Sequence, residues 1–352
     1  MAVRKRKNGG WMIDVVLWKG GERVRIRKTA GVKTKQEALE IERKERQKLK
    51  LNPVRTSSEI PLFSAFAKEF LDTYAAVENK HSERRSKEMI LRYHLVPAFG
   101  KMRLDAITAR HVDAYKAEKL ASGLAPKTVN NQLIVLSRAL RVAVEWGRLS
   151  TALRIRLLKA KAPDFRFFSF DEAARLLAAS DPTWRPMVLF AVRTGMRLGE
   201  LMALRWSDID MNAGRVVVRR SVYLGVIDTP KGGRSREIPL SDQVLDVLKT
   251  LKRRGEYVFC QPNGAMLTMD YCRYPLRRFC RMAGLPEAGW HALRHTFASH
   301  LVMRGVPLKA VQDLMGHATF EVTLRYSHLS PHVTRDAVKL LDQSDNANAV
   351  TH

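Results

Sequence analysis

Apolar residues return at every third or fourth position through most of the chain, and at every second position only in short stretches. In "TVNNQLIVLSRALRVAVEWG", Val129, Leu133, Leu136, Leu140 and Val144 mark one face of a helix. The same spacing runs through "LFSAFAKEFLDTYAA", so the region from Pro61 to about Ser150 reads as all helix, with Thr128 the expected cap of its last element. By contrast, "GWMIDVVLW" and "ERVRIRK" alternate and predict two strands joined at Lys19, Gly20 and Gly21. Val24 and Ile26 then oppose a face made of Arg23, Arg25 and Arg27. "KTKQEALEIERKERQKLK" has helical composition with a thin apolar stripe at Ala38, Ile41 and Leu49.

The pattern is mixed in the last half. Ser169 and Glu172 in "SFDE" have capping-box spacing before the apolar "AARLLAA". "MVLFAVRTGMRLGELMALRWSDID" predicts a buried helix, an interruption at Gly195 and a second helix carrying Leu198, Leu201 and Leu204. "RVVVRRSVYL" and "SREIPLS" predict strands, with "TPKGGR" in or beside their turn, and "WHALRHTFASHLVMRG" returns to helix with Leu293, Phe297 and Leu301 on its apolar side. The expected class is α+β, mostly helical. Its parts are a sheet-plus-helix domain over residues 1–57, a helical domain over 58–152 and a basic linker over 153–167. A mixed α/β domain over 168–341 and a polar tail over 342–352 complete the chain.

Charge narrows the partners. The 352 residues carry 62 Lys and Arg against 35 Asp and Glu, a formal net charge of +27, which attracts polyanions and nucleic acid above all. Met1 to Ile60 alone holds 17 basic and 7 acidic residues. The basic start lacks an apolar secretory segment and no apolar run approaches the roughly 20 residues of a membrane span, so a soluble, intracellular protein without a membrane partner is expected. Cys260, Cys272 and Cys280 form no CxxC pair and read as buried thiols.

The candidate chemistry lies in five places. Arg197 sits at a break before a helix start, where the helix dipole reinforces an anion site, although a lone arginine at a turn also reads as structural. Lys231, beside Gly232 and Gly233, is a poor core residue. His291 and Arg294 share a helix face. His291 and His295 have the spacing of a zinc pair, but Ala292 stands where a metalloprotease motif needs glutamate, so no metal is expected. Asp208 and Asp210 fit a turn better than a two-metal carboxylate site, and His300 reads as packed or solvated. In "GHATFEVTLRYSHLS", Tyr326 taken alone reads as a filler on a half-buried helix with Leu324 and Leu329. For DNA contact the candidates are Arg23, Arg25 and Arg27 on the strand face, Lys127 at a helix start, and Arg138 and Arg141 along that helix. A solvated basic face is the alternative for each.

Taken together, Arg197, Lys231, His291, Arg294, His317 and Tyr326 resemble, in order and context, the active-site set of the tyrosine recombinase, or phage integrase, family. The matching runs are "TGMRLGEL", "TPKGGRSREIPL", "HALRH" and "LMGHATFEVTLRYSHL", within a resemblance that spans Phe168 to about Leu341. "GWMIDVVLWKGG" followed by "GVKTKQEALE" resembles, more loosely, the arm-binding amino-terminal domain of phage integrases. The resemblance implies that Arg197 and Arg294 clamp a phosphate and that His317 adds a hydrogen bond to it. It further implies that His291 helps move the tyrosine proton, Lys231 protonates the departing 5′ oxygen and Tyr326 forms a 3′-phosphotyrosine, without cofactor or metal. Glu200 would support Arg197. Double-stranded attachment-site DNA, a tetramer on DNA, a DNA-bending accessory protein and a directionality factor are the implied partners, in the cytoplasm at the nucleoid of a prokaryotic host. A terminal helix with Val333, Ala337, Val338 and Leu341 would dock on a neighbouring protomer or in cis. The competing readings are a type IB topoisomerase and a noncatalytic DNA-binding factor.

Overall fold

The computed structural model describes residues 3–5, 10–19, 22–32, 34–51, 60–160, 165–230 and 235–330. Two compact units divide the chain, Met1–Ala162 and Pro163–His352. Within the described residues, no helix is long and apolar enough to cross a membrane.

The first unit begins with an antiparallel sheet of β1 (Val3–Lys5), β2 (Trp11–Lys19) and β3 (Glu22–Ala30), in that order. Lys19 pairs with Glu22 where the sequence places the hairpin. β1 is not foreseen, since three residues are too few to display alternation. Val3, Ile13, Val15 and Ala30 bury one sheet face under Ala38 of α1 (Lys35–Leu51).

Next come α2 (Phe63–Asp72), α3 (Tyr74–Glu78), α4 (His81–Ile90), a π turn at Leu91–Leu95, α5 (Val96–Phe99), α6 (Ala109–Ala121) and α7 (Pro126–Glu145). The apolar face anticipated for α7 is buried at Val129, Leu133, Leu136 and Leu140 and meets Phe63, Phe66 and Phe70. Thr128 is not the cap: α7 starts earlier, after an extended Ala125, with Pro126 in the first turn. Proline fits there because its fixed φ suits the helix and its missing N–H is one that no helical carbonyl would have paired. Residues 152–160 have no regular secondary structure, yet the stretch is fastened down. Leu153, Ile155 and Leu158 pack on the helical core, and the Asn130 amide donates to Leu158 O (2.9 Å) while its Oδ1 accepts from Leu158 N (2.8 Å).

The second unit opens with α8 (Phe170–Ala179), and the Ser169–Glu172 capping box forms as its spacing predicts. Then come α9 (Arg185–Thr194), α10 (Leu198–Met202), β4 (Ile209–Asp210), β5 (Arg215–Val218), β6 (Ser221–Tyr223), β7 (Val226–Asp228) and β8 (Arg236–Pro239). Helices α11 (Asp242–Thr250), α12 (Met269–Met282), α13 (Trp290–Met303), α14 (Leu308–Met315) and α15 (Glu321–Leu324) complete it. "RVVVRRSVYL" is two strands rather than one. β5 lies between β4 and β8, while among the described residues β6 pairs with β7 alone. The break falls at Arg219 and Arg220, where the Arg220 guanidinium turns to a buried Asp208 at 2.7 and 2.8 Å. Leu204 lies beyond the end of α10 but is still buried.

α13 packs on α9, and Gly195 explains the closeness. Its φ is +63°, and a Cβ there would sit 2.3 Å from the Phe297 ring, so both the turn and the approach require glycine. Cys272 and Cys280 are buried, and Cys260 is half-buried.

Candidate active site

A buried carboxylate organises the first half of the site. Arg197, extended at φ −72° and ψ 151°, immediately precedes α10. Its N–H donates to Glu200 Oε2 and its Nη1 to Glu200 Oε1, both at 2.9 Å. From β8, Arg236 donates to the same carboxylate through Nη1 (3.1 Å) and Nη2 (2.6 Å), and through Nε to Leu314 O (3.0 Å). Burial alone would push the Glu200 carboxyl up. The hydrogen bonds and charge of Arg236, and then the charge of Arg197, outweigh it and hold the group at about 2.

Arg294 projects from α13 and is 2% exposed. Its Nη1 donates to Gly195 O at 2.7 Å and its Nη2 to Met315 O at 2.6 Å. The guanidinium plane is thus fixed by the backbones of two other segments before any ligand arrives. Burial, then the neighbouring charge of Arg197, lowers its proton affinity, but a guanidinium stays cationic at neutral pH.

His317 follows Gly316, which ends α14 at φ +62° and leaves room for Arg236, whose Cδ would lie 2.7 Å from an added Cβ. His317 Nδ1 lies 2.8 Å from Thr323 Oγ1. Burial, then Arg294 and Arg197, holds the imidazole down at about 3, so it is neutral. A Thr323 hydroxyl that donates to Nδ1 would leave the ring proton on Nε2 as a donor.

Tyr326 departs from the expected half-buried helix. It lies on the turn between α15 and a 3-10 turn at Ser327–Leu329, and it is 1% exposed. Its hydroxyl is 2.7 Å from His295 Nδ1. Phe165 meets the phenol edge-on at 4.9 Å between centroids and stacks on the His295 ring at 4.8 Å. Burial raises the phenol above its ordinary value, opposed only in part by Arg294, Arg325 and Arg197. Cations stand near the phenol, but desolvation of its anion outweighs them. His295 is held at about 4, by burial and then by His291.

Arg294 and Arg197 thus bear on the proton affinities of both His317 and Tyr326. His291 is exposed and stands edge-on to the His295 ring at 4.7 Å. Lys231 lies outside the described residues, as do residues 331–352, the terminal helix and tail of the sequence reading. The described residues contain no group of three or more His, Cys, Asp or Glu able to hold a metal. His300 is buried, stacked on Phe170 with Nε2 at 2.9 Å from Phe168 O. Asp208 pairs with Arg220, and Asp210 accepts from Ala213 N in the turn before β5.

The DNA-contact candidates lie in the first unit. Arg27 is exposed and paired with Asp14 at 3.1 Å, while Arg23 and Arg25 are in β3 with side chains outside the described set. Lys127 is exposed in the first turn of α7, and Arg141 is exposed with Nε at 3.3 Å from Ser137 O. Arg138 is turned inward on its own unit. It donates to the Tyr74 hydroxyl (2.8 Å), lies 4.7 Å over the Tyr74 ring and pairs with Glu145 at 3.2 Å.

The sequence pattern does not single out Arg236, Thr323 or Phe165, and offers His295 only as a metal ligand. For Arg236 a signal existed: in "REIPL" it alternates with Ile238 and therefore shares the inward face of β8. No sequence pattern pairs Thr323 with His317 or Phe165 with Tyr326.

The chain matches the phage integrase family over residues 166–332 and the phage integrase N-terminal SAM-like domain over residues 62–120, together more than half its length. It is 26% identical to the ICEBs1 integrase of Bacillus subtilis (strain 168), across 97% of this chain and 99% of that protein. Against the integrase of Escherichia phage 186 it is also 26% identical, over 97% of each. Its fold is similar to that of the Tn1549 transposon integrase in complex with a circular intermediate DNA, at TM-score 0.66 and 22% identity over 79% of this chain and 97% of the other. A lambda integrase dimer bound to a COC′ core site gives TM-score 0.63 and 19% identity over 93% of this chain and 94% of the other. With the runs around Arg197, His291, Arg294, His317 and Tyr326 falling inside the matched residues, the chain belongs to the phage integrase family and is a tyrosine-type site-specific recombinase.

Proposed function

We propose that this recombinase is the integrase of a mobile genetic element, cutting and rejoining double-stranded attachment-site DNA through a 3′-phosphotyrosine. The observation that carries this reading is that Arg197 and Arg294 lie near enough to both His317 and Tyr326, within one unit, to act on their proton affinities. Attack on a phosphodiester is resisted by its anionic oxygens, so catalysis rests on positioning and on cations fixed in advance. Arg197 and Arg294 supply two guanidiniums for the nonbridging oxygens. His317, neutral, donates a hydrogen bond to the same phosphate.

Tyr326 Oη forms the new bond to phosphorus as the 5′ oxygen leaves. His291 helps carry the phenol proton away, and Lys231 gives a proton to the leaving oxygen. The phosphotyrosine keeps the diester's energy until the 5′ hydroxyl of a partner strand attacks and releases the tyrosine. Strand exchange needs several such sites at once. A tetramer on DNA is therefore the working assembly, in keeping with the lambda integrase tetramer bound to a Holliday junction. Residues 1–57 would engage arm-type DNA and residues 58–152 core DNA, with Arg23, Arg25, Arg27, Lys127 and Arg141 against the backbone. A bending protein and a directionality factor would complete the assembly at the host nucleoid.

Covalent trapping tests the proposal. Labelled DNA from the flanks of the gene is incubated with the wild type or Tyr326→Phe, then denatured. A protein-linked band in the wild type only, together with recombinant product, is expected. An equal band from the variant would overturn Tyr326 as nucleophile, and relaxation of supercoils without exchange would favour a topoisomerase.

A further inference from the structure

A nucleophile that is 1% exposed cannot be touched by a duplex backbone, so the arrangement around Tyr326 is a resting one. Three contacts hold it. The phenol hydroxyl is 2.7 Å from His295 Nδ1, Phe165 closes edge-on over the phenol while stacking on the His295 ring, and Phe297, Ala298, Val302, Val311 and Met315 form the apolar cluster beneath. We propose that His295 is a positioning residue that seats the Tyr326 hydroxyl in a buried, non-attacking place, with Phe165 as the wall of that seat, until bound DNA draws the tyrosine out. The inference rests on the reading of Tyr326 as nucleophile.

His295 follows Arg294 directly on α13, so the seat is built one residue from the phosphate clamp. A buried hydroxyl with no partner would be costly, and the imidazole satisfies it without adding a charge. The alternative role, general base, does not suit this contact. His295 is held at about 4 while the phenol is pushed above its ordinary value, so proton transfer between them at neutral pH is negligible. His291, exposed on the far side of His295, is the histidine open to the outside. His295 therefore acts as a hydrogen-bonding anchor rather than as a proton carrier. Leaving the seat costs the hydrogen bond, the contact with Phe165 and the packing on the apolar cluster, which contacts made by a bound duplex must replace.

The hold can be read without DNA. The full-length protein is treated with N-acetylimidazole, which acetylates accessible tyrosine hydroxyls, and modification of Tyr326 is measured by peptide mass spectrometry relative to Tyr93, which is 54% exposed. In the wild type, Tyr326 should react far more slowly than Tyr93. His295→Leu, which keeps the bulk and removes the hydrogen-bonding partner, should speed Tyr326 about fivefold, the factor expected for one net hydrogen bond. His295→Asn places a neutral amide, able to accept or donate, near the position of Nδ1 and should restore slow reaction. An unchanged rate in a cooperatively folded His295→Leu protein overturns the proposal, as does His295→Asn reacting as fast as His295→Leu. If His295→Leu does not fold, Phe165→Leu takes its place. A rise of about twofold then supports the seat, and no rise overturns it. On flanking DNA, His295→Leu should form the covalent adduct at least as fast as wild type. Loss of the adduct with Tyr326 exposed would make His295 a participant in the chemistry and overturn its assignment as an anchor. Absence of adduct from every variant, with the acetylation pattern as expected, would count against the DNA-cleaving reading and leave the hold standing.

Discussion

Arg294 and Tyr326 are both nearly inaccessible, at 2% and 1% exposed, yet burial prepares one and restrains the other. Arg294 keeps its charge, and two backbone carbonyls, Gly195 O and Met315 O, orient its plane. Nothing in it needs to change before a phosphate arrives. Tyr326 is kept neutral by desolvation and is bonded through its hydroxyl to His295. On the proposed reading of the site, the comparison teaches that the phosphate-binding half is fixed in advance while the proposed nucleophile must be delivered. This is a workable division, because a preorganised cation stabilises charge without reorganisation, and a sequestered phenol does not react with the wrong partner.

The largest effect expected is from Arg294→Ala, which removes the prepared half outright. Adduct formation should fall by about 10²–10³-fold, measured as initial rate at saturating DNA, while Tyr326 acetylation changes little. A loss below tenfold would erase the distinction drawn between clamp and nucleophile. Next is Glu200→Gln, which leaves two guanidiniums facing a neutral amide. Removing one partner of a buried ion pair costs about 3–5 kcal/mol, read as the shift in urea midpoint multiplied by the slope. Because the folded carboxyl titrates at about 2, below its ordinary 4.5, its contribution is present above pH 4.5 and lost as pH falls towards 2. The variant should lack that acid-dependent loss.

A smaller effect concerns the two depressed histidines. His295 and His317 are neutral when folded, at about 4 and about 3, but take up protons near 6.5 when unfolded. The unfolded state therefore binds more protons below pH 6.5, and stability falls as pH drops from 7 to 5. After allowance for solvent screening, the loss is about 1 kcal/mol per histidine, read from denaturation midpoints, and His317→Gln should remove its share. The smallest change compares cations of the first unit. Lys127→Ala should lower the slope of log affinity against log salt by about one. Arg138→Ala should leave that slope nearly unchanged, because Arg138 is already engaged by Tyr74 and Glu145.

Much of the fold was legible because period and punctuation are local properties. The α7 stripe, the β2–β3 hairpin and the Ser169–Glu172 box follow from spacing alone. What failed was either too short or decided by neighbours distant in sequence. β1 has three residues, Pro126 overrode Thr128 as the start of α7, and "RVVVRRSVYL" divides because Arg220 turns to Asp208. In the site, the order of Arg197, His291, Arg294, His317 and Tyr326 was visible through resemblance, whereas the support given by Arg236 and Thr323 was not.

The sequence by itself determined the chemistry available here: a cationic chain, a family-specific set of side chains, and helices and strands that follow from the spacing of apolar residues. Only the tertiary structure decided the state of that chemistry. Desolvation, the direction of a hydroxyl and the sharing of one carboxylate by two arginines depend on atoms far apart in the chain. Phe165 and Tyr326 are separated by 161 positions and meet at 4.9 Å, and no local pattern encodes that contact. Burial is a property of the packed whole, which is why the same phenol that marks the family in one dimension is found at rest in three.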